Sequence, residues 1–477
     1  MQILLPVIYF ILFIFLILKM KFFEGLSLSK PQLTGLFLLK IIAGLTSYYI
    51  YNYYYAHSDS YSYFIGSKNL FDQFLGNSSS SILGWNASFD DTFYNNSRII
   101  IYINFLIQFL SFNNVFVHIL FFCFISLVGL TALYKAFYKH FPAKKVILVL
   151  GVYLVPSVLF WTSGIYKEGI AFFCIGFVIY LTDFGLEKSF SIKKIICLVL
   201  IIALLFFVKV YIAVAVLPLL MINWLVSKTN DKNFLLKYAF LFISFVAVFH
   251  LLSKTNNRLN VYQLIADKQA KAISEAQGGI FLANESNFIR LDCNDSIALL
   301  SRPDSSFYVK SGSHFLSWKL DNMKDTTFVV NSSDPASYTF LYKIQPANSV
   351  LKMQKMNPTF LGVLQKAPFA IVNVFIQPTL FSIKNILQLF SWIENMWLIL
   401  SLVIAILFFD KKTLVNKEVL LFCLLFALIQ FAMIGLTTSS IGAMVRYKVT
   451  ALPFLFILAM LCIDGEKLLK KLKRTKN

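Results

Sequence analysis

The sequence predicts an all-α polytopic membrane protein of about eleven transmembrane helices, with a small β-rich extracytoplasmic insertion. Three observations carry that expectation. Of 477 residues, 58% are hydrophobic and only 14% charged, whereas a soluble protein carries about a quarter charged residues. The apolar residues fall in runs of 14–24, most of them long enough to cross a hydrocarbon core. Short lysine-rich loops separate many of these runs, a mark of cytoplasmic retention. Such runs must become helices, because lipid offers no partner to backbone N–H and C=O groups.

The runs place spans at 3–18, 33–55, 115–138, 146–162, 169–184, 195–208, 210–227, 235–252, 393–409, 418–436 and 447–463. An odd number puts the termini on opposite sides. The tail carries Lys467, Lys470, Lys471, Lys473, Arg474 and Lys476. The C-terminus is therefore expected in the cytoplasm and the N-terminus outside a cytoplasmic membrane. Every inner loop is then basic, from Lys19, Lys21 and Lys30 to Lys411, Lys412 and Lys417. The tyrosines between Tyr48 and Tyr55 read as an interfacial belt. Residues 99–112 are apolar but short, and 367–381 contain Pro378. Both are expected to lie at the outer surface.

Four regions follow: 1–32, an extra span and inner loop; 33–252, the membrane core with outer loop 56–114; 253–392, a large outer loop; and 393–477, the last spans and basic tail. In the large outer loop, Val261 to Ala276 predicts a helix ended by Gly278-Gly279. Alternating segments such as Ser306-Phe307-Tyr308-Val309-Lys310 predict the β-rich insertion over 280–345.

Several function classes drop out. The formal charge of +20 is dispersed through short loops and the tail, so nucleic acid is not an expected partner. Five of the six cysteines lie in apolar runs, which gives neither a disulfide framework nor a metal-spaced set. There is no phosphate-cradling P-loop, no GxGxxG opening a helix and no HExxH pair. The first run lacks a basic n-region and reads as a retained helix.

Chemistry is expected where the first outer loop begins, at His57-Ser58-Asp59-Ser60-Tyr61-Ser62-Tyr63. Asp59 reads plainly as a solvated acid or a helix cap. Its place beside a low-dielectric wall also suits a carboxylate acting as a base. Asp90-Asp91 follows in the same loop. An acid here, then aromatics, then Lys68-Asn69-Leu70, resembles the GT-C fold of polyprenyl-phosphate-dependent glycosyltransferases. Arg98-Ile99-Ile100-Ile101-Tyr102, Phe109-Leu110-Ser111-Phe112 and span 115–138 are similar to their surface helix and second core span. The similarity covers about 33–252 and the last span. It implies that Asp59 serves the acceptor as base or metal ligand, which leaves a divalent cation as the one cofactor in view.

Three cations join this reading. Lys167 and Glu168 lie in the turn Pro156 to Gly169, where charges beside apolar sequence are costly unless paired or useful. Lys209 sits between two apolar runs with almost no loop, as a snorkelling side chain also would. Arg446, followed by Tyr447, opens the last span, and an arginine can grip phosphate bidentately. The last span too resembles GT-C enzymes, and also sugar-polymer polymerases.

The expected activity is inverting glycosyl transfer from a polyprenyl-phosphate sugar in the membrane to a glycan, lipid or protein acceptor. Asp59 is the expected catalytic residue, and Lys167, Lys209 and Arg446 hold the donor phosphate. His57, Tyr61, Asp90, Asp91, Glu168 and Tyr447 line the site. A surface-polysaccharide polymerase or ligase competes, though it would favour more outer-loop arginines than Arg98, Arg258, Arg290 and Arg302. A transporter would place charges at span centres and break helices in matching halves. A non-catalytic scaffold would use the insertion for docking.

Overall fold

The computed structural model describes residues 3–54, 59–76, 87–187, 189–229, 233–255, 260–283, 287–291, 299–301, 306–309, 314–319, 325–329, 337–344, 349–351 and 353–474; over 87–96 and 281–344 it describes the backbone alone. The membrane part is helical. Helices α1 (Leu4–Lys19) and α2 (Lys30–Tyr49) are followed by α3 (Asp59–Phe74) and α4 (Ala87–Ser111). Then come α5 (Val115–His140), α6 (Lys145–Tyr153), α7 (Pro156–Trp161), α8 (Lys167–Thr182), α9 (Ile192–Ser227) and α10 (Phe234–Thr255). After α11 (Val261–Gln277), the chain closes with α12 (Phe360–Ile376), α13 (Ile386–Leu407), α14 (Lys417–Thr437), α15 (Ile441–Tyr447), α16 (Leu452–Leu461) and α17 (Gly465–Arg474).

Local chemistry sets the starts. Ser29 and Gln32 form a reciprocal capping box on α2, with proline in its first turn. Asn114, Ser191 and Asn385 cap α5, α9 and α13. The centre is α5, packed along α8. A Cβ on Gly129 or Gly176 would collide with the facing backbone. Small residues at these points let two apolar helices touch along their backbones, which is how helices associate in lipid.

Among the described residues, seven helices are long and apolar enough to cross a membrane, or eight if the bent pair Ile441–Thr450 and Leu452–Leu461 is one span. The difference from eleven lies in three places. Helix α1 has only 16 residues. Run 146–162 is divided into α6 and α7, because Pro156 lacks an N–H and pushes Val155 to an extended ψ of 119°. Runs 195–208 and 210–227 follow one another within α9 with only a break at Lys209 between them. A further correction concerns 99–112, which is the last part of the 25-residue α4 rather than a separate surface helix. Residues 367–381 belong partly to α12, which packs against α14.

Helix α9 nonetheless folds back on itself. Lys209 leaves helical geometry, with φ −154° and ψ 88°. Before it, Lys194 pairs with Glu187 at 3.3 Å. Beyond it, Asn223 donates to Phe184 O at 2.8 Å. Both anchors lie just past the C-terminal end of α8, while Lys209 itself reaches Glu168 at the N-terminal end. A straight helix would hold residues 194 and 223 roughly 44 Å apart at about 1.5 Å per residue. The two arms therefore run side by side, with Lys209 at the tip.

Among the described residues between 279 and 344 the backbone forms seven strands: β1 (Gly279–Ala283), β2 (Asn287–Leu291), β3 (Leu299–Ser301), β4 (Ser306–Val309), β5 (His314–Lys319), β6 (Asp325–Val329) and β7 (Ser337–Ile344). They pair antiparallel in the order β3-β4-β7-β1-β2-β5-β6.

Candidate functional site

The site begins with one face of α2. Lys40, Gly44 and Ser47 are spaced at i, i+4 and i+7, so they form one stripe. That stripe clasps the turn after α7. Lys40 Nζ donates to Thr162 Oγ1 at 2.6 Å, Ser163 Oγ at 3.1 Å and Thr162 O at 3.3 Å. A Cβ at Gly44 would strike Ser163 O. Ser47 Oγ and Tyr166 Oη lie 2.7 Å apart. Glu168 follows this turn directly, and Asp59 follows α2. The stripe thus ties together the two segments that deliver the carboxylates.

Glu168 is fully buried and is the hub. Arg446 Nε donates to its Oε1 at 3.0 Å, and Nη2 to its Oε2 at 3.1 Å. Lys209 Nζ reaches Oε1 at 2.7 Å. The remaining arm of Arg446, Nη1, donates to Asp59 Oδ2 at 2.5 Å. The two carboxylates differ in access: the Asp59 side chain is 44% exposed and that of Glu168 is 0%. Aromatic rings wall the cations. The Arg446 guanidinium lies 5.0 Å from the Tyr166 ring centre and 5.4 Å from that of Trp161. Lys209 lies 5.0 Å from the Tyr447 ring centre. Such faces hold cations where water is scarce.

Asp59, Glu168, Lys209, Arg446 and Tyr447 are therefore one constellation, although the sequence separates Asp59 from Arg446 by 387 positions. Lys167 stands beside it, 5.8 Å from the Tyr63 ring centre. Burial, and next the Asp59 charge, push the Tyr63 phenol pKa well up, so Tyr63 keeps its proton. Lys209 and Arg446, expected from the sequence as phosphate ligands, are both bonded to Glu168. A buried arginine and lysine require a counter-charge, and Glu168 supplies it. Tyr61 is exposed beside the site. His57 lies outside the described residues, and so do the side chains of Asp90 and Asp91, whose backbone is in α4.

Two residues escaped the sequence reading. Lys40 lies inside the apolar span 33–55, and only the fold shows what its ammonium meets. Lys268, on α11, is exposed and lies 5.5 Å from the Tyr211 ring centre. Lys209 lies 5.8 Å from that same centre. Lys167, Lys209, Lys268 and Arg446 thus face two carboxylates, and the surplus of positive charge suits an anion.

A divalent cation fits poorly. Both Glu168 oxygens and one Asp59 oxygen are taken by cationic side chains. Among the described residues no group of three His, Cys, Asp or Glu converges, and such ions ask for several oxygen ligands. Just beyond the site, Lys448 Nζ donates to Asn395 Oδ1 at 2.7 Å and Gln377 O at 3.0 Å. Ser157 N donates to Glu394 at 2.8 Å. These contacts brace α7, α13 and the α15–α16 bend behind Arg446. Comparison with family models, curated proteins and solved structures finds no match for the chain.

Proposed function

We propose that this chain is an integral-membrane glycosyltransferase that uses a polyprenyl-phosphate sugar donor. One observation carries the proposal: Arg446 is shared between a sealed carboxylate, Glu168, and an accessible one, Asp59. Glu168 fixes the guanidinium by the edge that carries Nε and Nη2. Nη1 is the exchangeable arm. A donor phosphate would compete with Asp59 for Nη1 and add Lys209, Lys167 and Lys268 as further partners. Asp59, released from the arginine, is free to take a hydrogen bond from the acceptor hydroxyl.

The reaction then balances simply. The acceptor O–H gives its proton to the Asp59 carboxylate. The acceptor oxygen bonds to the anomeric carbon as the bond from that carbon to the phosphate oxygen breaks. The electron pair leaves with the phosphate, and the cations steady the growing charge. Direct displacement inverts the anomeric centre. The assay is transfer of labelled sugar from a panel of polyprenyl-phosphate sugars by the purified protein in nanodiscs. Transfer with release of polyprenyl phosphate is expected; if no donor is consumed and none binds, the proposal fails.

We further infer eleven passes, with the N-terminus and the site outside and the C-terminus in the cytoplasm. Lys30 Nζ meets Leu18 O at 2.6 Å, which sets the end of α1 beside the start of α2. Helices α6 and α7 together lead from the inner loop to Trp161 at the site, and α9 turns at Lys209. The end opposite the site carries Lys139, His140, Lys144 and Lys194, in keeping with the positive-inside rule. Cysteines placed at Ser306 and Lys473, with the native six replaced, test it. An impermeant maleimide should label the first in intact cells and leave the second untouched; the reverse pattern sinks the orientation.

A further inference from the structure

The cation cluster accounts for a phosphate but leaves open where the second substrate sits. We propose that the cavity bordered by Tyr166 is a subsite for a neutral sugar ring of the acceptor, a reading that rests on glycosyl transfer as the activity. The cavity has a volume of about 90 Å³. At about 30 Å³ per water that is room for about three waters, so one edge of a pyranose ring would enter while the rest stands at the open mouth.

Its lining is uncharged and mostly apolar, with Phe64, Val115, Ile119 and Ile165 among its walls, and polar groups are set into it. Ser47, Tyr48, Ser60, Tyr61, Tyr166 and Asn113 contribute, and among the described residues no charged side chain does. Phosphate would find no counter-charge here. A ring with hydroxyls on its rim and C–H groups on its faces finds hydroxyl and amide partners together with aromatic walls. The division of labour is spatial. Tyr166 borders the cavity and also stacks toward Arg446. Asp59 immediately precedes the cavity residue Ser60 and is itself bonded to Arg446. A sugar in the cavity and a phosphate on the cations would therefore meet on either side of the proposed base.

The backbone supports a built site. Phe112 and Asn113 both adopt left-handed conformations, with φ of 46° and 61°, which non-glycine residues adopt at a cost. This turn sets Asn113 between the smaller cavity and a larger one of about 300 Å³ that Leu5 and Phe112 also line. The larger space gives the remainder of a glycan or its carrier a way out.

The test is saturation-transfer NMR on the full-length protein in nanodiscs, with methyl glucoside, galactoside, mannoside and N-acetylglucosaminide as probes. At least one should receive saturation from the wild type. Asn113→Ala should weaken the signal at least fivefold. Tyr61→Ala, at a side chain already exposed, should do the same without a change in melting temperature. The assignment is overturned if no pyranoside binds, if neither cavity variant weakens binding, or if millimolar inorganic phosphate displaces the sugar. Sugar binding that obeys these expectations, with no donor bound or consumed, would leave the cavity assignment standing and remove the transferase reading instead.

Discussion

Glu168→Gln is expected to destabilise the protein and weaken donor binding together. The amide keeps the shape but removes the one fully buried negative charge that Arg446 and Lys209 share. Their side chains are only 13% and 6% exposed, so water cannot replace the partner. Removing one member of such a buried set costs about 3–5 kcal/mol, because the remaining charges stay desolvated. Thermal unfolding in detergent should show a clear drop. Adding Lys209→Met removes one orphaned cation and should recover part of the stability. It should not recover binding, since Arg446 has still lost its anchor. A Glu168→Gln protein that melts with the wild type would mean that this carboxylate is not the hub.

Asp59→Asn should separate the two functions that Glu168→Gln merges. Asp59 is half exposed and holds only one arm of Arg446, so its loss should leave folding near the wild type, and donor affinity should not fall, because the phosphate no longer competes with a carboxylate for that arm. Turnover should fall on the order of a hundred- to ten-thousand-fold, the usual effect of losing a general base. The amide cannot accept a proton at neutral pH. The measurement is single-turnover transfer beside binding of a polyprenyl-phosphate analogue. Wild-type transfer by Asp59→Asn would reduce Asp59 to a loop acid with an arginine neighbour.

The membrane class and the members of the site were legible for a physical reason. A charge at the margin of an apolar run is expensive, so Asp59, Lys167, Glu168, Lys209 and Arg446 stood out where few charges occur at all. The pairing was not legible. Nothing in a linear string says that Glu168, rather than a ligand, meets both Lys209 and Arg446. Pro156 was visible, but its splitting of run 146–162 depends on how α6 and α7 pack. Lys40 was missed because a single lysine does little to the hydropathy of an otherwise apolar run, and its oxygens come from a turn 122 residues away. Lys268 was missed because a lysine on an exposed helix looks like any solvated charge until Tyr211 is placed beneath it.

Lys40 also has a bearing on biogenesis. A lysine near the middle of an inserting helix costs about 2.5–3.5 kcal/mol at the translocon. In the finished protein its three N–H groups are all accepted by Thr162 and Ser163. Those residues are made 122 and 123 positions later. At about 5–20 residues per second, α2 must wait roughly ten seconds for them. During that time its ammonium has to be sheltered by the insertion machinery, by water or by an interfacial position. The second helix is thus an early arrival that settles late, and the end of it that leads to Asp59 can take its final place only once the α7 turn has emerged.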